Sequence, residues 1–306
     1  MEHQPAYIVI TPARNEEQFI ELTLKSVISQ TVRPIRWVIV SDGSTDRTDE
    51  IVRQYSAVHT WIELVRMPER RQRHFAGKVD AFNVGYAKVR DLQHEAVCSL
   101  DADISFGETY FSFLLQKLSD DSQLGLVGTP FEQGGHRVYD YRFVNIEHVS
   151  GACQVFRRQC FEDIGGYVPV KGGGIDHIAV VTARMKGWKT RTFTEQTCVH
   201  HRKIGTAEGG LLTSRFQYGR KDYVFGNHPL WELFRICYQM TQRPFVIGGV
   251  ALLSGYLWAR IRCLESPVSR EFIEFYRKEQ IQRLKVWFKK GRSIRHGARQ
   301  LPSRAA

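Results

Sequence analysis

The sequence predicts an α/β protein with a doubly wound, mostly parallel sheet and helices on both faces. Short apolar runs alternate with helix-patterned segments through the first two-thirds of the 306 residues, as expected for such a sheet. Several of the runs are apolar throughout, which is typical of strands buried on both faces. Polar clusters follow three of the runs, and in these sheets ligands bind at the carboxyl ends of the strands.

Each apolar run is predicted to be a strand, and these runs cover residues 7–10, 37–40, 61–65, 97–100 and 124–127. The intervening segments carry apolar residues at helical spacing, which predicts helices over residues 16–29, 48–55, 78–90 and 109–118. Beyond residue 134 the pattern loosens into a glycine-containing, aromatic-rich stretch. A helix over residues 175–186 and a strand over residues 190–194 then indicate that the chain returns to the same sheet.

Charge divides the chain into an expected α/β domain, residues 1–226, and a basic helical tail, residues 227–306. Lys and Arg total 43 against 32 Asp and Glu, for a net charge of +11. Residues 259–306 hold 13 of the basic and 4 of the acidic residues, which accounts for +9 of that charge. The α/β domain is therefore almost neutral, which disfavours a nucleic-acid partner.

The tail has two features of a membrane-associating segment. Residues 244–259 carry no charge, but as a helix they would be about 24 Å long, shorter than the roughly 30 Å hydrocarbon core. Residues 270–290 place apolar side chains among basic ones as an interfacial amphipathic helix does, at Ile273, Tyr276, Leu284 and Trp287. A helical hairpin packed on the protein, peripheral or re-entrant membrane contact, and a membrane span remain alternatives. Because basic residues are attracted to acidic lipid headgroups, we expect the tail to bind the membrane surface.

Two features of composition indicate a cytoplasmic protein. The six cysteines show no C-x-x-C pair and no regular spacing, which indicates reduced thiols, most of them in the core. The first residues lack the basic segment and long apolar run of a secretory signal. We therefore expect a cytoplasmic protein, peripheral on the inner face of the cell membrane.

Asp101 and Asp103 directly follow the strand predicted over residues 97–100. Two carboxylates at a strand end can present oxygen ligands to Mg²⁺ or Mn²⁺, which would neutralise charge on a departing nucleotide diphosphate. A solvated turn is the alternative, but the position after a strand favours the functional interpretation.

Two further polar segments follow predicted strands. In residues 41–46, Asp42 can accept a hydrogen bond from the N–H of a base, although Ser, Thr and Asp there also suit a helix cap. Residues 11–17 contain no glycine, so neither a dinucleotide-binding fingerprint nor a P-loop is present. This absence disfavours a dehydrogenase and a P-loop NTPase.

Five segments, taken in chain order, resemble a known enzyme family: TPARNEE, SDGSTDRT, GKVDAFNVGY, DADISF, and GGY followed by GIDHIAVVTARMKGW. Together they are similar to the motifs of inverting glycosyltransferases of family 2, which have the nucleotide-sugar-binding GT-A fold. The resemblance covers residues 5–225. The C-terminal arrangement resembles that of bacterial members that build exopolysaccharides or lipid-linked glycans.

The resemblance implies a site for a nucleotide-sugar donor, with UDP as the expected carrier. The residues that it assigns to this site are Pro12, Ala13, Asn15, Glu16, Asp42, Lys78, Asp101 and Ala102. Asp42 would read the uracil edge, and Lys78 would meet phosphate, unless it is a surface lysine at the start of a helix. Arg202 or Lys203 could also meet the diphosphate.

The resemblance also implies a metal site and a catalytic base. Asp101 and Asp103 would bind Mn²⁺ or Mg²⁺, with Asp103 the more direct ligand and His200 or His201 a third one. The family's E-D-x-D-like motif corresponds to residues 174–177, where only Asp176 is acidic.

Asp176 is therefore the expected base of a single, inverting displacement, which would accept the proton of a hydroxyl group on a glycan or polyprenyl-linked acceptor. The alternative for Asp176 is a structural role in the first turn of a helix, where a carboxylate interacts favourably with the helix dipole. A sugar nucleotidyltransferase and a non-catalytic nucleic-acid- or membrane-binding protein are the alternatives for the whole chain.

Overall fold

A computed structural model describes residues 5–69, 76–137, 146–202 and 210–298. The chain divides into two compact units, Met1–Ile204 and Gly205–Ala306. The sequence analysis places the boundary later, after residue 226. The structure divides the chain earlier because the helix Leu211–Val224 packs against later helices of the second unit.

The first unit is an α/β domain. Its strands are β1 (Tyr7–Ala13), β2 (Arg36–Asp42), β3 (Ile62–Met67), β4 (Ala96–Leu100), β5 (Ile104–Ser105), β6 (Leu124–Gly128), β7 (Phe131–Gln133), β8 (His136–Arg137), β9 (Cys153–Arg157), β10 (Lys189–Thr192) and β11 (Cys198–His200). Its helices are α1 (Ile20–Ile28), α2 (Thr48–Val58), α3 (Ala76–Val89), α4 (Tyr110–Asp120), α5 (Arg158–Asp163) and α6 (Ile175–Met185). The alternation of strands and helices predicted from the sequence is confirmed.

A seven-stranded sheet forms the centre of this unit, in the order β10-β6-β9-β4-β1-β2-β3. Its neighbouring strands are parallel except where β9 pairs antiparallel with β4 and β6. The mostly parallel sheet is thus confirmed. The sequence analysis did not identify β9 as a strand of this sheet.

The central strands are formed by the most apolar runs. Tyr7 to Ile10 in β1 and Trp37 to Val40 in β2 are fully buried, with helices packed against the sheet. Aromatic residues of α4, Tyr110 and Phe111, fill the same core. Burial of these apolar runs on both faces explains why the strands could be recognised without an alternating pattern.

The sequence predicts a helix that begins at residue 16, but helix α1 begins at Ile20. The backbone N–H groups of Asn15, Glu16 and Glu17 instead donate hydrogen bonds to side chains of the β2–α2 loop and of the first residue of α2. Asn15 also has a positive φ of 54°. These residues are therefore held in a non-helical loop at the carboxyl end of β1.

A second sheet contains four short strands in the order β5-β11-β7-β8. It includes β11, the last strand of the first unit. Strands β5 and β11 are antiparallel, and His200 lies opposite Ile104. The sequence analysis did not identify β5, which begins directly after Asp103. The pairing places β11 directly beside the segment that contains Asp101 and Asp103.

The second unit contains four helices in its described residues: α7 (Leu211–Val224), α8 (Pro229–Met240), α9 (Ile247–Ile261) and α10 (Arg270–Ala298). Helices α7 and α9 approach at glycines. A Cβ added to Gly219 would lie 1.9 Å from the carbonyl oxygen of Leu252, and one added to Gly255 would lie 2.0 Å from that of Phe216. Backbone contact between the two helices therefore requires these glycines.

A buried polar cluster joins α7 and α8. Arg235 donates to Asp222 Oδ1 at 2.8 Å, and Asn227 donates to Glu232 Oε2 at 2.9 Å. Burial, opposed by Arg235 and reinforced by Glu232, raises the pKa of Asp222 to about 7. Two buried carboxylates thus lie near one guanidinium, which is half-buried and pairs with Asp222.

No helix in the described part of the chain combines the length and the apolarity needed to cross a bilayer. The apolar run 244–259 contributes most of α9, a helix of 15 residues. All six cysteines are free thiols, and four of them are buried, namely Cys98, Cys153, Cys160 and Cys198.

Candidate active site

The loops that follow β1 and β2 are tied together at the carboxyl edge of the sheet. Asn15 N–H donates to Ser44 Oγ at 3.1 Å, and Thr45 N–H donates to Asn15 Oδ1 at 2.9 Å. Glu16 N–H donates to Thr48 Oγ1 at 2.7 Å. The two polar segments picked out from the sequence therefore form one structural element.

Asp42 lies at the end of β2, next to this element. Its side chain is largely buried, with an oxygen 3.7 Å from the guanidinium of Arg14. The next residue, Gly43, has a φ of 64°, and a Cβ added there would lie 2.6 Å from the Cα of Glu69. Only glycine fits this position, so the chain turns sharply after Asp42.

Three residues assigned to the nucleotide pocket could contribute little through their side chains. Ala13 and Ala102 are 2% and 4% exposed, and their methyl groups belong to the core. The carbonyl of Ala102 accepts a hydrogen bond from Thr23 Oγ1 at 2.8 Å. Pro12 is half-buried in β1. Any contact that the two alanines make with a ligand would therefore come from their backbone atoms.

Asp101, Asp103 and His200 come together as a group of possible metal ligands. One ligand atom from each lies within 4.8 Å of the other two. Asp101 and Asp103 follow β4, while the β5–β11 pairing brings His200 from a distant part of the sequence. His200 Nε2 lies 3.8 Å from Asp103 Oδ1.

The chemistry of this group fits a divalent cation. Carboxylate oxygens suit Mg²⁺ and Mn²⁺, and a neutral imidazole can also bind Mn²⁺. His200 Nδ1 lies 2.6 Å from the carbonyl oxygen of Arg202, an acceptor that fixes the proton on Nδ1. Nε2, which faces Asp103, then carries a lone pair for a metal.

His201 has different surroundings from His200. Its Nε2 lies 2.7 Å from Ser105 Oγ, and its ring stacks on Phe19 at 6.2 Å. Burial lowers the pKa of His201, despite the opposite effect of Asp103. The structure therefore brings His200, and not His201, to the two carboxylates.

Two cations contact the carboxylates of this group. Lys78, in the first turn of α3, forms an ion pair with Asp101. Arg202 contacts the carboxylate of Glu16, and its Nε lies 3.4 Å from Asp103 Oδ2. Glu16 is buried, and its carboxylate holds Arg202 beside Asp103. Lys203 lies outside the described residues.

The charge on Lys78 depends on three carboxylates. Burial opposes this charge, but Asp101, Asp176 and Asp103 together outweigh burial and raise the pKa of Lys78. Burial in turn raises the pKa of Asp101, against the effect of Lys78. One ammonium group thus lies within the field of both the candidate metal ligands and the candidate base.

Asp176 lies in the first turn of α6, which starts after Gly174 with a φ of 90°. It lines a small cavity together with Lys78, Tyr167 and other residues of α3, β4 and β9. Gly151 lies against it, because a Cβ added at Gly151 would be 3.0 Å from Asp176 Oδ2. The backbone at Gly151 therefore limits where the carboxylate can lie.

The structure adds residues that the sequence analysis missed. Tyr167, in the same cavity, donates its hydroxyl proton to Gln154 Oε1 at 2.7 Å. Thr23 supports the turn between the two aspartates, because its hydroxyl accepts from Ile104 N–H at 3.2 Å and donates to Ala102. A signal for Thr23 existed, since it is a polar residue on the buried face of α1.

Solved structures of other proteins share this fold. The mannosyltransferase PcManGT of Pyrobaculum calidifontis, solved with GDP-Man and Mn²⁺, has a TM-score of 0.56 and 22% identity, covering 86% of this chain and 76% of that one. Residues 1–349 of TarS of S. aureus, solved with UDP-GlcNAc, have a TM-score of 0.54 and 15% identity, covering 84% and 73%. These similarities show that the first unit has the GT-A fold.

Sequence comparison identifies the family. The probable glycosyltransferase YdaM of Bacillus subtilis strain 168 is 30% identical over 154 residues, which are 49% of this chain and 35% of YdaM. The match thus spans only about a third of that relative. The sequence profile of glycosyl transferase family 2 matches residues 8–165, more than half of the chain. The chain is therefore a glycosyltransferase and belongs to family 2.

Proposed function

We propose that this glycosyltransferase transfers a sugar, with inversion, from a UDP-linked donor to a hydroxyl group of a glycan or lipid-linked acceptor. The observation that carries the proposal is the grouping of Asp101, Asp103 and His200 at the edge of the sheet, with Lys78 in the field of both this group and Asp176. This arrangement offers separate groups for the leaving diphosphate and for the attacking hydroxyl.

The donor is assigned to the element formed by the loops after β1 and β2. Asp42 can accept a hydrogen bond from the N–H of a uracil base, and its position is fixed by the turn at Gly43. Asn15 and the backbone of residues 12–13 border the same edge. The nucleotide sugars bound by PcManGT and TarS, which share the fold, support a donor of this class.

Asp101, Asp103 and His200 would hold Mn²⁺ or Mg²⁺. When bound, this cation would supply positive charge that stabilises the departing nucleoside diphosphate. His200 is preferred to His201 because its Nε2 faces Asp103, whereas Nε2 of His201 is hydrogen-bonded to Ser105. Lys78 and Arg202, which already contact the aspartates, are suited to bind phosphate oxygens.

Asp176 would act as the base. It would accept the proton of the acceptor hydroxyl as that oxygen attacks the anomeric carbon, and the nucleoside diphosphate would leave from the opposite side. A single displacement of this kind inverts the anomeric configuration. Gly151 supports the assignment, because its backbone lies against Asp176 and restricts the direction of the carboxylate.

The acceptor is proposed to lie at a membrane, with the enzyme peripheral on the inner face of a bacterial cell membrane, in polysaccharide biosynthesis. Exposed apolar side chains of α9 support this location. Ile247, Val250, Leu257 and Ile261 are each at least 43% exposed and recur at helical spacing. A helix of this length can lie in the interface without crossing the bilayer.

Thermal unfolding of the full chain with a panel of nucleotide sugars, with and without Mn²⁺, tests the donor and metal assignments. We expect a UDP-sugar to raise the unfolding temperature only with Mn²⁺, and Asp103→Ala to abolish that shift. An Asp120→Ala variant, which removes an exposed carboxylate at the end of α4, is the matched control. An undiminished Mn²⁺-dependent shift in Asp103→Ala would contradict the metal site.

The reaction has its own test. Turnover should release UDP and not pyrophosphate, and NMR of the product should show the anomeric configuration opposite to that of the donor. Release of pyrophosphate would indicate a nucleotidyltransferase. Retention of configuration would exclude the single displacement by way of Asp176.

A further inference from the structure

We propose that a basic groove between the start of α8 and the middle of α10 binds the phosphate groups of an anionic lipid bilayer. The residues that line it are His228, Arg277, Lys278, Ile281, Gln282 and Lys285. The inference deepens the membrane association proposed above and rests on it. It assigns the headgroup contact to a defined place in the second unit.

The groove contains cations that are available to an anion. In the described part of α10, the ion pairs join Arg270 to Glu274 and Arg283 to Glu279, which leaves Lys278 and Lys285 unpaired. Both lysines are exposed. Arg277 is fixed at the groove, because its Nε donates to the carbonyl of Gly226 at 2.7 Å.

The groove residues continue into a stripe along α10 that mixes basic and apolar side chains. Lys278, Ile281, Lys285 and Phe288 are separated by three, four and three residues, so they share one face of the helix. Phe288 is 56% exposed. The face therefore passes from charged side chains to a large apolar ring within one turn.

An aromatic cluster next to this stripe joins α10 to α8. The ring of Trp287 lies 5.1 Å from those of Phe234 and Phe288, and the ring of Phe234 lies 5.8 Å from that of Trp231. Trp287 is 55% exposed. Tryptophan rings of this kind are typical of membrane–water interfaces, where one edge contacts headgroups and the rest contacts hydrocarbon.

Charge complementarity selects a bilayer as the occupant of this surface. Exposed rings beside unpaired lysines suit a surface that is anionic outside and apolar below. A second copy of this chain would bring the same lysines to the contact, and like charges would oppose the association. An anionic bilayer satisfies the cations and the rings together.

Flotation of the full chain with phosphatidylglycerol vesicles tests the proposal. Each lysine near an anionic surface contributes about fivefold to binding, so Lys278→Gln/Lys285→Gln should lower the vesicle partition coefficient about 30-fold at low salt. The matched control is Arg33→Gln/Lys186→Gln, which removes two exposed charges from the first unit and should leave partitioning within about twofold. Trp287→Ala should weaken the binding that persists at high salt.

The outcomes separate this inference from the wider proposal. No flotation of the unaltered chain would overturn both the membrane association and the groove assignment. Flotation that is equal in the unaltered chain and in Lys278→Gln/Lys285→Gln would overturn the groove while leaving membrane association standing. A concentration-dependent dimer that Trp287→Ala abolishes, without vesicle binding, would assign the surface to a second copy and overturn the lipid assignment.

Discussion

Replacing Gly151 by alanine tests whether the position of Asp176 controls the transfer step. The added methyl group would lie 3.0 Å from Asp176 Oδ2 and from its Cβ, and 3.1 Å from its Cγ. Gly151 does not have a positive φ, so alanine can adopt the same backbone conformation. The perturbation therefore acts on the neighbouring carboxylate and not on the local backbone.

The size of the effect follows from these distances. Contacts of about 3.0 Å are too close for a methyl group by a few tenths of an ångström, so the carboxylate must move by that amount. A displacement of about 1 Å in a catalytic arrangement can cost about 100-fold in rate, so a shift of roughly half that size costs about tenfold. We expect Gly151→Ala to lower kcat about tenfold.

Steady-state kinetics with a fixed donor provides the assay. The KM for the donor should change little, because the methyl group contacts Asp176 and not the loops after β1 and β2. Gly172→Ala is the matched control, since a Cβ there meets no atom within 4 Å and its φ is not positive. Thermal unfolding of both variants establishes that the fold is retained.

Two results would refute the reasoning. An unchanged kcat in Gly151→Ala would show that the position of Asp176 does not limit transfer. An equal loss of kcat in Gly172→Ala would show that the effect comes from the mobility of the chain and not from contact with the carboxylate.

Three further predictions concern metal binding, packing and pH. His200→Ala should weaken Mn²⁺ binding at least about tenfold in calorimetry, whereas His201→Ala should leave it nearly unchanged. Gly219→Ala should lower the free energy of unfolding by at least about 2 kcal/mol, because its methyl group would overlap the carbonyl of Leu252. Because the pKa of Asp222 rises from 3.8 to about 7 on folding, the folded protein retains a proton that the unfolded chain releases, so stability should fall between pH 4 and pH 7, by up to about 1.4 kcal/mol per pH unit.

Each of these predictions has a contrary outcome. Equal Mn²⁺ affinities of the two histidine variants would remove His200 from the ligand set. Gly210→Ala, where a Cβ meets open space, is the control for Gly219→Ala, and equal stabilities of the two would contradict backbone contact between α7 and α9. Chemical denaturation that gives the same stability at pH 5 and pH 7.5 would show that Asp222 is ionised throughout that range.

The central strands could be predicted because their burial is visible in composition. Residues 7–10 and 37–40 are apolar without interruption, and the structure buries them completely. The start of α1 could not be predicted, because Glu16 and Glu17 suit a helix by local preference. Their N–H groups are instead bonded to Thr48 and Asp46, which lie about thirty residues away, and sequence pattern does not report such contacts.

In the candidate site, too, residues placed by the local sequence could be predicted, and residues placed by distant contacts could not. Asp101 and Asp103 could be predicted because they directly follow β4 in the sequence. The choice between His200 and His201 could not, because His200 is the last residue of β11 and His201 lies just outside it, so no periodic pattern distinguishes the two. Which histidine faces Asp103 depends on the register of β11 against β5. These strands have only three and two residues, and no sequence pattern marks their pairing.

The β5–β11 pairing has a consequence for biosynthesis. Ile104 and His200 are almost a hundred residues apart in the sequence, so their contact can form only after the chain has been synthesised through β11. A nascent chain that has emerged only as far as β9 can already form β1, β2 and β4, with both aspartates in place, but it lacks the imidazole. The third candidate ligand therefore joins the two aspartates only after all seven strands of the central sheet have been synthesised.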